Sequence, residues 1–184
     1  YYNKNVLLRL DLNVPLTDGV ITDDHRIKCA MPTIFRILKD KPNRLIIMSH
    51  FGRPNGVDED YSMKKLIPKL EKYIDKGVGL LGSGLNQSTL DQLVLEHDYQ
   101  VYLLENLRFH EEEMKYKSMD LTNNESYQVI QKLGNVYVND AFGCMHRDHL
   151  SITGIQIPEK AYGFLVKKEL HALHNITQNK SLKK

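Results

Sequence analysis

The chain has 184 residues, a net charge of +2, 41% hydrophobic residues and 26% charged residues, which is an ordinary globular composition and excludes a disordered chain. So small a net charge gives no support to a nucleic-acid-binding protein, and no apolar stretch approaches the roughly 20 residues of a membrane span. The two cysteines, Cys29 and Cys144, are far apart in sequence, so we expect no disulfide framework and a reducing, cytoplasmic location.

The first half of the chain alternates between strand-like and helix-like stretches. The run at residues 45–49 is apolar without alternation, as in a strand that is buried on both faces of a parallel sheet. Apolar residues after position 24 recur at helical spacing. The predicted elements here are, in chain order, a strand at 6–10, a turn at 18–19, a helix beginning at 22–24, a strand at 45–49, a helix beginning at Ser62, and a short strand within 77–84.

The second half continues the same alternation. Its predicted elements are, in chain order, a helix capped by Ser88 and Thr89 and ending near 97, a strand at 101–104, a charged surface insert at 111–122, a helix at 124–133 ended by Gly134, a strand at 136–139, a last short strand at 152–157, a helix at 162–176 with Leu165, Leu170 and Leu173 facing inward, and a polar linker at 177–184. Strands that alternate with helices in this way predict an α/β fold, with three layers, a Rossmann-like arrangement and a mainly parallel sheet.

Cationic residues follow the carboxyl ends of the predicted strands. The chain has only seven arginines, yet Arg53, Arg108 and Arg147 each follow a separate strand, and Arg26 lies in the first turn of a helix. In a parallel sheet these ends meet at one edge, where ligands bind. Asp11, Asn13 and His50 are expected at the same edge. Clustered guanidinium groups repel each other, so the pattern predicts a cleft for a small phosphorylated acid.

Other interpretations of these residues remain open. Each arginine could instead pair with a local acid such as Asp11, Glu105, Asp140 or Asp148. Cys144, His146 and His149 could ligate zinc, although no second pair of ligands is evident. A nucleophilic pair of Cys144 and His146 lacks any orienting residue. The glycines of residues 77–84 are not followed by Gly-Lys-Ser/Thr, so they do not form a Walker phosphate loop.

Five segments resemble motifs of the phosphoglycerate kinase family. They are Leu-Arg-Leu-Asp-Leu-Asn-Val-Pro at 8–15, Ile-Thr-Asp-Asp-His-Arg-Ile at 21–27, Met-Ser-His-Phe-Gly-Arg-Pro at 48–54, Leu-Glu-Asn-Leu-Arg-Phe at 104–109, and Val-Asn-Asp-Ala-Phe-Gly at 138–143. They occur in the family's order, and the resemblance covers residues 5–170. It corresponds to the amino-terminal half of that enzyme.

The resemblance implies a function for the chain. The complete enzyme transfers a phosphoryl group reversibly between 1,3-bisphosphoglycerate with ADP and 3-phosphoglycerate with ATP. The implied substrate-binding residues are Asp11, Leu12, Asn13, Arg26, His50, Phe51, Gly52, Arg53, Arg108 and Arg147. Asp11 and Asn13 would contact the glycerate part of the substrate. His50, Arg53, Arg108 and Arg147 would bind its anionic ends, chiefly the phosphate. Arg26 would be the catalytic residue, nearest the transferred phosphoryl group.

The resemblance also implies a domain organisation. Residues 1–161 would form the amino-terminal substrate domain, and residues 162–184 would begin the interdomain helix and linker. The carboxyl-terminal nucleotide domain, which binds Mg-ATP or Mg-ADP and would be the partner of this one, is absent from the sequence. We therefore expect a monomeric half-enzyme that is inactive alone, without a metal site and without nucleic-acid or membrane partners.

The sequence departs from the family's usual residues close to Arg147. Cys144 and Met145 replace threonine and alanine, and Asp148 and Leu150 replace small residues. Phe51 replaces leucine. These changes keep a second function open, which is a non-catalytic anion-binding or regulatory module derived from the same fold.

Overall fold

The structure, a computed structural model, describes residues 1–82, 84–95 and 97–180. Its strands are β1 (Asn5–Arg9), β2 (Leu16–Thr17), β3 (Val20–Ile21), β4 (Arg44–Met48), β5 (Val78–Leu81), β6 (Val101–Leu104), β7 (Val136–Asn139) and β8 (Glu159–Tyr162). Its α-helices are α1 (His25–Lys39), α2 (Ile67–Ile74), α3 (Gln87–Leu95), α4 (Glu112–Lys115), α5 (Glu125–Lys132), α6 (Leu150–Thr153) and α7 (Phe164–Lys180).

Six strands form one parallel sheet in the order β5-β6-β4-β1-β7-β8, and β2 and β3 form a separate hairpin. Successive crossovers place β4, β5 and β6 on one side of β1, whereas β7 and β8 lie on the other. The direction of winding therefore reverses at β1, and a crevice opens beyond the carboxyl ends of strands at such a point. The α/β class with a parallel sheet is confirmed.

The sheet is buried on both faces, because alternate residues of its strands enter two separate apolar clusters. Val6 and Leu8 of β1 pack on one face, which α1 and α2 cover. Leu7 packs on the opposite face, which α3, α5 and α6 cover. The protein therefore has the three layers that the sequence predicts, and its strand ends are fixed by core packing on both sides.

The insert at 111–122 differs from the prediction. It contains the short helix α4 and a 3₁₀ turn at Tyr116–Ser118 rather than a loose surface segment. The side chains of Glu113 and Tyr116 are buried. The insert therefore packs onto the body of the domain, and a carboxylate of this charged stretch enters the interior.

Two predictions for the last part of the chain are wrong. Residues 152–157 form no strand, because α6 occupies Leu150–Thr153 and the final strand is β8, which pairs with β7. Leu170 and Leu173 are 40% and 49% exposed rather than inward, and the buried apolar residue of α7 is Val166. The helix continues to Lys180, through the first part of the predicted linker, and residues 181–184 lie outside the described residues.

Two of the predicted helix boundaries have a different basis in the structure. Asn86 rather than Ser88 or Thr89 precedes α3, and its side-chain oxygen accepts a hydrogen bond from the Thr89 amide. Gly134 follows α5 without a left-handed conformation. Its role is to let the backbone approach β1 closely, since a Cβ there would lie 2.9 Å from Leu7 Cβ.

Over residues 1–82, 84–95 and 97–180, every helix is too short or too polar to span a membrane.

Candidate anion-binding site

A cavity of about 440 Å³ lies beyond the carboxyl ends of β1, β4 and β7. Side chains from three strand ends and from the start of α1 line it. The residues predicted from sequence that line the cavity are Asp11, Asn13, Arg26, His50 and Arg147. The sheet edge therefore brings together residues that are up to 136 positions apart in sequence, from Asp11 to Arg147.

Arg53 and Arg108 belong to the same cluster of positive charge, although they do not line this cavity. Arg108 donates a hydrogen bond from Nη1 to the carbonyl oxygen of Gly52. Partial burial lowers the pKa of Arg108 from its usual value, and repulsion from Arg147 and Arg53 lowers it further. Because Gly52 directly precedes Arg53, the hydrogen bond to its carbonyl oxygen holds Arg108 against the loop that carries Arg53.

Three of the arginines have no carboxylate partner within the part of the chain that the structure describes. Arg53, Arg108 and Arg147 form no ion pair there. Arg108 Nε is also buried without a hydrogen-bond partner. A buried donor without a partner costs about 1–3 kcal/mol. The site therefore has cationic groups and a donor that an anion would satisfy.

The acids that could have neutralised these arginines have other partners. Asp148 Oδ1 lies 2.7 Å from Lys117 Nζ, so this departure from the family's usual residue does not neutralise Arg147. Glu105 accepts hydrogen bonds from the Ser62 hydroxyl and the Met63 amide. The third acid, Asp140, accepts hydrogen bonds from the Thr33 hydroxyl and the Val166 amide. These contacts exclude local pairing as the explanation for the three arginines.

Arg26 differs from the other arginines of the cluster because it forms an ion pair with Asp11. Its side chain is half exposed, whereas that of Asp11 is 14% exposed. A cation in the first turn of a helix is opposed by the helix dipole, and the carboxylate from the end of β1 offsets that repulsion. This is the one arginine of the site for which the alternative of a local acid is correct.

The loop after β4 is held in place by hydrogen bonds to its own backbone. Asn106, which is fully buried, accepts a hydrogen bond from the Phe51 amide and donates one to the Phe51 carbonyl oxygen. Asn13 Oδ1 accepts a hydrogen bond from the Gly52 amide at 2.8 Å. Gly52 has φ +61°, and a Cβ there would overlap the Tyr61 ring. Glycine is therefore required for this loop to present His50 and Arg53.

Leu12 and Phe51, both predicted to contact the substrate, have buried side chains in the apolar core. The backbone amide of Leu12 donates to the Ser49 hydroxyl at 2.9 Å. These contacts, together with those of the Phe51 backbone, make the two residues supports of the loops that carry the charged side chains.

Behind the cavity lies a polar cluster that the sequence analysis missed. Arg9 is fully buried, and its Nη2 lies 3.2 Å from Nδ1 of His50. Burial lowers the pKa of His50 to about 2, and the charges of Arg9, Arg108 and Arg147 contribute to this shift. His50 is therefore neutral at physiological pH. The signal in the sequence was a single arginine within the apolar run of β1, since a cation buried in a strand requires a partner.

Cys144 also lines the cavity, with its thiol 3.9 Å from His50 Nδ1. Burial raises the pKa of this thiol. Candidate ligand atoms of Asp11, His50 and Cys144 lie within 4.8 Å of one another, whereas His146 and His149 do not belong to this group. The neighbouring guanidinium groups would repel a metal cation, so the charge of the cavity favours an anion.

Comparison with known proteins agrees with the resemblance seen in the sequence motifs. The sequence profile of the phosphoglycerate kinase family matches residues 1–183. The phosphoglycerate kinase of Debaryomyces hansenii is 40% identical over 185 residues, which cover 96% of this chain and 44% of that protein. The phosphoglycerate kinase of Schistosoma mansoni is 41% identical over 178 residues, which cover 91% of this chain and 42% of that protein.

Solved structures agree with the sequence comparison. Phosphoglycerate kinase from Coxiella burnetii superposes with a TM-score of 0.79 at 31% identity, covering 94% of this chain and 42% of that one. The enzyme from Pyrococcus horikoshii OT3 gives the same TM-score and identity, and 43% of it is covered. The chain thus spans less than half the length of the relatives that it matches.

Proposed function

The chain belongs to the phosphoglycerate kinase family, and we propose that its cleft binds 3-phosphoglycerate and 1,3-bisphosphoglycerate as the acceptor half of that enzyme. One observation carries the proposal, namely that Arg53, Arg108 and Arg147 meet at one sheet edge without carboxylate partners among the described residues. A small phosphorylated acid would supply the missing negative charge.

The groups at the cleft fit the two ends of such a substrate. Arginine offers a planar pair of donors that matches phosphate or carboxylate, so Arg53, Arg108 and Arg147 would hold the phosphate. His50 would add a neutral N–H donor. Asn13 has its side-chain oxygen bonded to Gly52, so its amide nitrogen is the group left to donate to the glycerate hydroxyl or carboxylate. Asp11 would accept a hydrogen bond from that hydroxyl.

Arg26 would stabilise the phosphoryl group in transfer. Phosphoryl transfer depends mainly on positioning and on neutralisation of charge on the transferred group, so a half-exposed guanidinium that lines the cleft suits it. Arg26 is half exposed and, among the described residues, pairs with Asp11 alone, so it could leave this acid when a more negative group arrives.

A second domain would bind the nucleotide. The sequence has no glycine-rich segment followed by lysine and Ser or Thr, so Mg-ATP, which supplies the phosphoryl group, would bind elsewhere. Residues 1–161 would be the substrate domain, and residues 162–184 would begin the connection to the second one. Leu170, Leu173 and Ile176 of α7 are exposed, which suits a helix that another domain covers.

Two free cysteines suit a reducing compartment such as the cytoplasm.

Turnover after completion of the enzyme tests this proposal. We expect the 184-residue chain to bind 3-phosphoglycerate without transferring a phosphoryl group, because proximity to the nucleotide is worth roughly 7–11 kcal/mol. Fusion of the carboxyl-terminal half of the Debaryomyces hansenii relative after Lys184 should produce ATP-dependent turnover, and Arg26→Ala should abolish most of it.

The same experiment decides against the alternative module. If the fusion folds and binds both ligands yet shows no turnover, the chain is a non-catalytic anion-binding protein. Turnover by the 184-residue chain alone, in a preparation free of host enzyme, would contradict the half-enzyme assignment.

A further inference from the structure

A fully buried carboxylate, Glu113 of α4, lies behind the cleft and takes no part in the binding roles proposed above. Its two oxygens accept hydrogen bonds from Ser151, one from the hydroxyl at 2.6 Å and one from the amide at 2.9 Å. It also lies 3.9 Å from Nη2 of Arg9, and neither side chain of this ion pair is exposed. A buried carboxylate is strongly unfavourable unless it is paired and hydrogen-bonded, so this arrangement is closely specified.

Ser151 connects Glu113 to Arg9. Its hydroxyl oxygen accepts a hydrogen bond from Arg9 Nε at 2.9 Å, and its proton is donated to Glu113. Arg9 Nη1 donates to the carbonyl oxygen of Leu10. With Nε and Nη1 occupied by these acceptors, the position of Nη2 against His50 is fixed, because a guanidinium group is planar.

The contact between Arg9 and His50 determines which ring nitrogen of the histidine carries the proton. A guanidinium group can only donate, so His50 Nδ1, which lies 3.2 Å from Arg9 Nη2, must be the acceptor. The ring proton is therefore on Nε2. His50 lines the cavity, and its remaining N–H is the group that a bound phosphate or carboxylate can accept from.

We propose that Glu113 is a positioning residue of the cleft, which holds Arg9 through Ser151 and so fixes the His50 tautomer that donates from Nε2 to the anionic substrate. The identity of the substrate in this proposal rests on the proposed function, whereas the assignment of the His50 tautomer does not depend on it. Within residues 1–82, 84–95 and 97–180, Glu113 is the only carboxylate that pairs with Arg9.

The surroundings of His50 explain why the carboxylate of Glu113 acts through Arg9 rather than in direct contact with His50. The groups that face His50 are Arg9, Arg108, Arg147, His149, the Cys144 thiol and the carboxylate of Asp11, which lies within 4.8 Å but is paired with Arg26. A carboxylate in direct contact with His50 would favour its protonated form and would also compete with the substrate for the arginines. Glu113 neutralises Arg9 from behind the cleft, where it does not compete with the substrate for Arg108 or Arg147.

The tautomer can be measured in the ligand-free chain. Two-bond ¹H–¹⁵N correlation spectra of protein with ¹⁵N-labelled histidine distinguish the two neutral tautomers, and His50→Gln assigns the signals. We expect His50 of the wild-type chain in the Nε2–H form. In Glu113→Gln, Arg9 loses its counter-charge and moves, so we expect a mixture of tautomers. Detection of the Nδ1–H form in the wild-type chain, or an unchanged spectrum in Glu113→Gln, would overturn the proposal.

Affinity for 3-phosphoglycerate provides the second measurement. Glu113→Gln should weaken binding about three- to tenfold, the value of one hydrogen bond, without changing the number of sites. Glu111→Gln is the matched control, since it removes the same charge from an exposed neighbour that forms a surface ion pair with Lys115. Equal affinities of these two variants would overturn the proposal.

A third variant covers the case in which Glu113→Gln does not fold. Ser151→Ala removes the link between Glu113 and Arg9 while retaining both charges, and we expect the same tautomer mixture with a smaller loss of affinity. A folded Ser151→Ala protein with an unchanged His50 tautomer would contradict the role of the link. If the wild-type chain binds no 3-phosphoglycerate, the proposed function fails, whereas the ligand-free spectra still decide the role of Glu113.

Discussion

Arg9 and Arg108 lie at the same edge of the sheet, yet their charges are met in different ways. Arg9 is fully buried, pairs with Glu113 and donates to Ser151 and Leu10. Arg108 is partly exposed, has an unbonded Nε, and faces other arginines. The protein neutralises the inner cation, Arg9, with its own carboxylate, whereas the outer arginines, Arg53, Arg108 and Arg147, have no acid partner among the described residues. Arg9 therefore holds the site in place, whereas the outer arginines would bind the substrate.

The largest expected effect concerns the inner arginine. Arg9→Met should lower the free energy of unfolding by about 3–5 kcal/mol, because it leaves Glu113 buried without its counter-charge. Urea denaturation measures this loss. Arg36→Met, which removes an exposed pair with Asp40, is the control and should have almost no effect. Equal stabilities of the two variants would show that the inner pair is not a structural unit.

The outer arginine should show the reverse behaviour. Arg108→Ala should weaken the binding of 3-phosphoglycerate by about 1.5–3 kcal/mol, the value of charge-assisted hydrogen bonds. Its free energy of unfolding should change by no more than about 1 kcal/mol, since the lost bond to Gly52 is offset by relief of repulsion. If Arg36→Ala weakens binding as much, the division into inner and outer arginines is wrong.

A smaller effect tests the geometry of the outer arginine. Arg108→Lys keeps the charge but loses the planar pair of donors, so affinity should recover only in part relative to Arg108→Ala. Calorimetric titration of the three proteins at one ionic strength measures this. Full recovery in the lysine variant would mean that charge alone binds the ligand.

The smallest effect is a pH dependence of stability due to His50. Its pKa is about 2 in the folded protein, against 6.5 as the ordinary value, so only the unfolded state binds the proton at mildly acid pH. The free energy of unfolding should therefore fall by about 1 kcal/mol from about pH 7 to about pH 5.5. Burial also lowers the pKa of His110, so the measurement is the difference between the wild-type chain and His50→Gln. A difference that is constant with pH would contradict a neutral, buried His50.

The outer site could be predicted from sequence because it depends on local signals. Apolar runs mark β1, β4, β6 and β7, and a parallel sheet places everything that follows them at one edge. Arg53, Arg108 and Arg147 were recognisable as a set for this reason. Among the described residues they have no acid partner, and this could not be predicted. Asp148 could pair with Lys117 or with the adjacent Arg147, and only the fold decides between the two.

The inner site could not be predicted, because its partners are distant in sequence and carry no local pattern. Glu113 lies in a run of three glutamates of which it alone is fully buried, and its partner Ser151 is 38 residues away. The strand β8 was missed for a similar reason, since its sequence Glu-Lys-Ala-Tyr is polar and it lies at the edge of the sheet. Leu170 and Leu173 were assigned inward from periodicity, which cannot tell a covered helix face from an exposed one.

Calorimetric titration of the 184-residue chain with 3-phosphoglycerate, and with glycerate as the matched ligand that lacks the phosphate, tests the central claim most directly. Three arginines without acid partners in the described part of the chain predict saturable binding of 3-phosphoglycerate at one site. This binding should be at least tenfold tighter than that of glycerate, since phosphate contacts of about 1.5–3 kcal/mol are lost with glycerate. Equal affinities for the two ligands, or no heat with either, would contradict a cleft whose outer arginines are reserved for an anion.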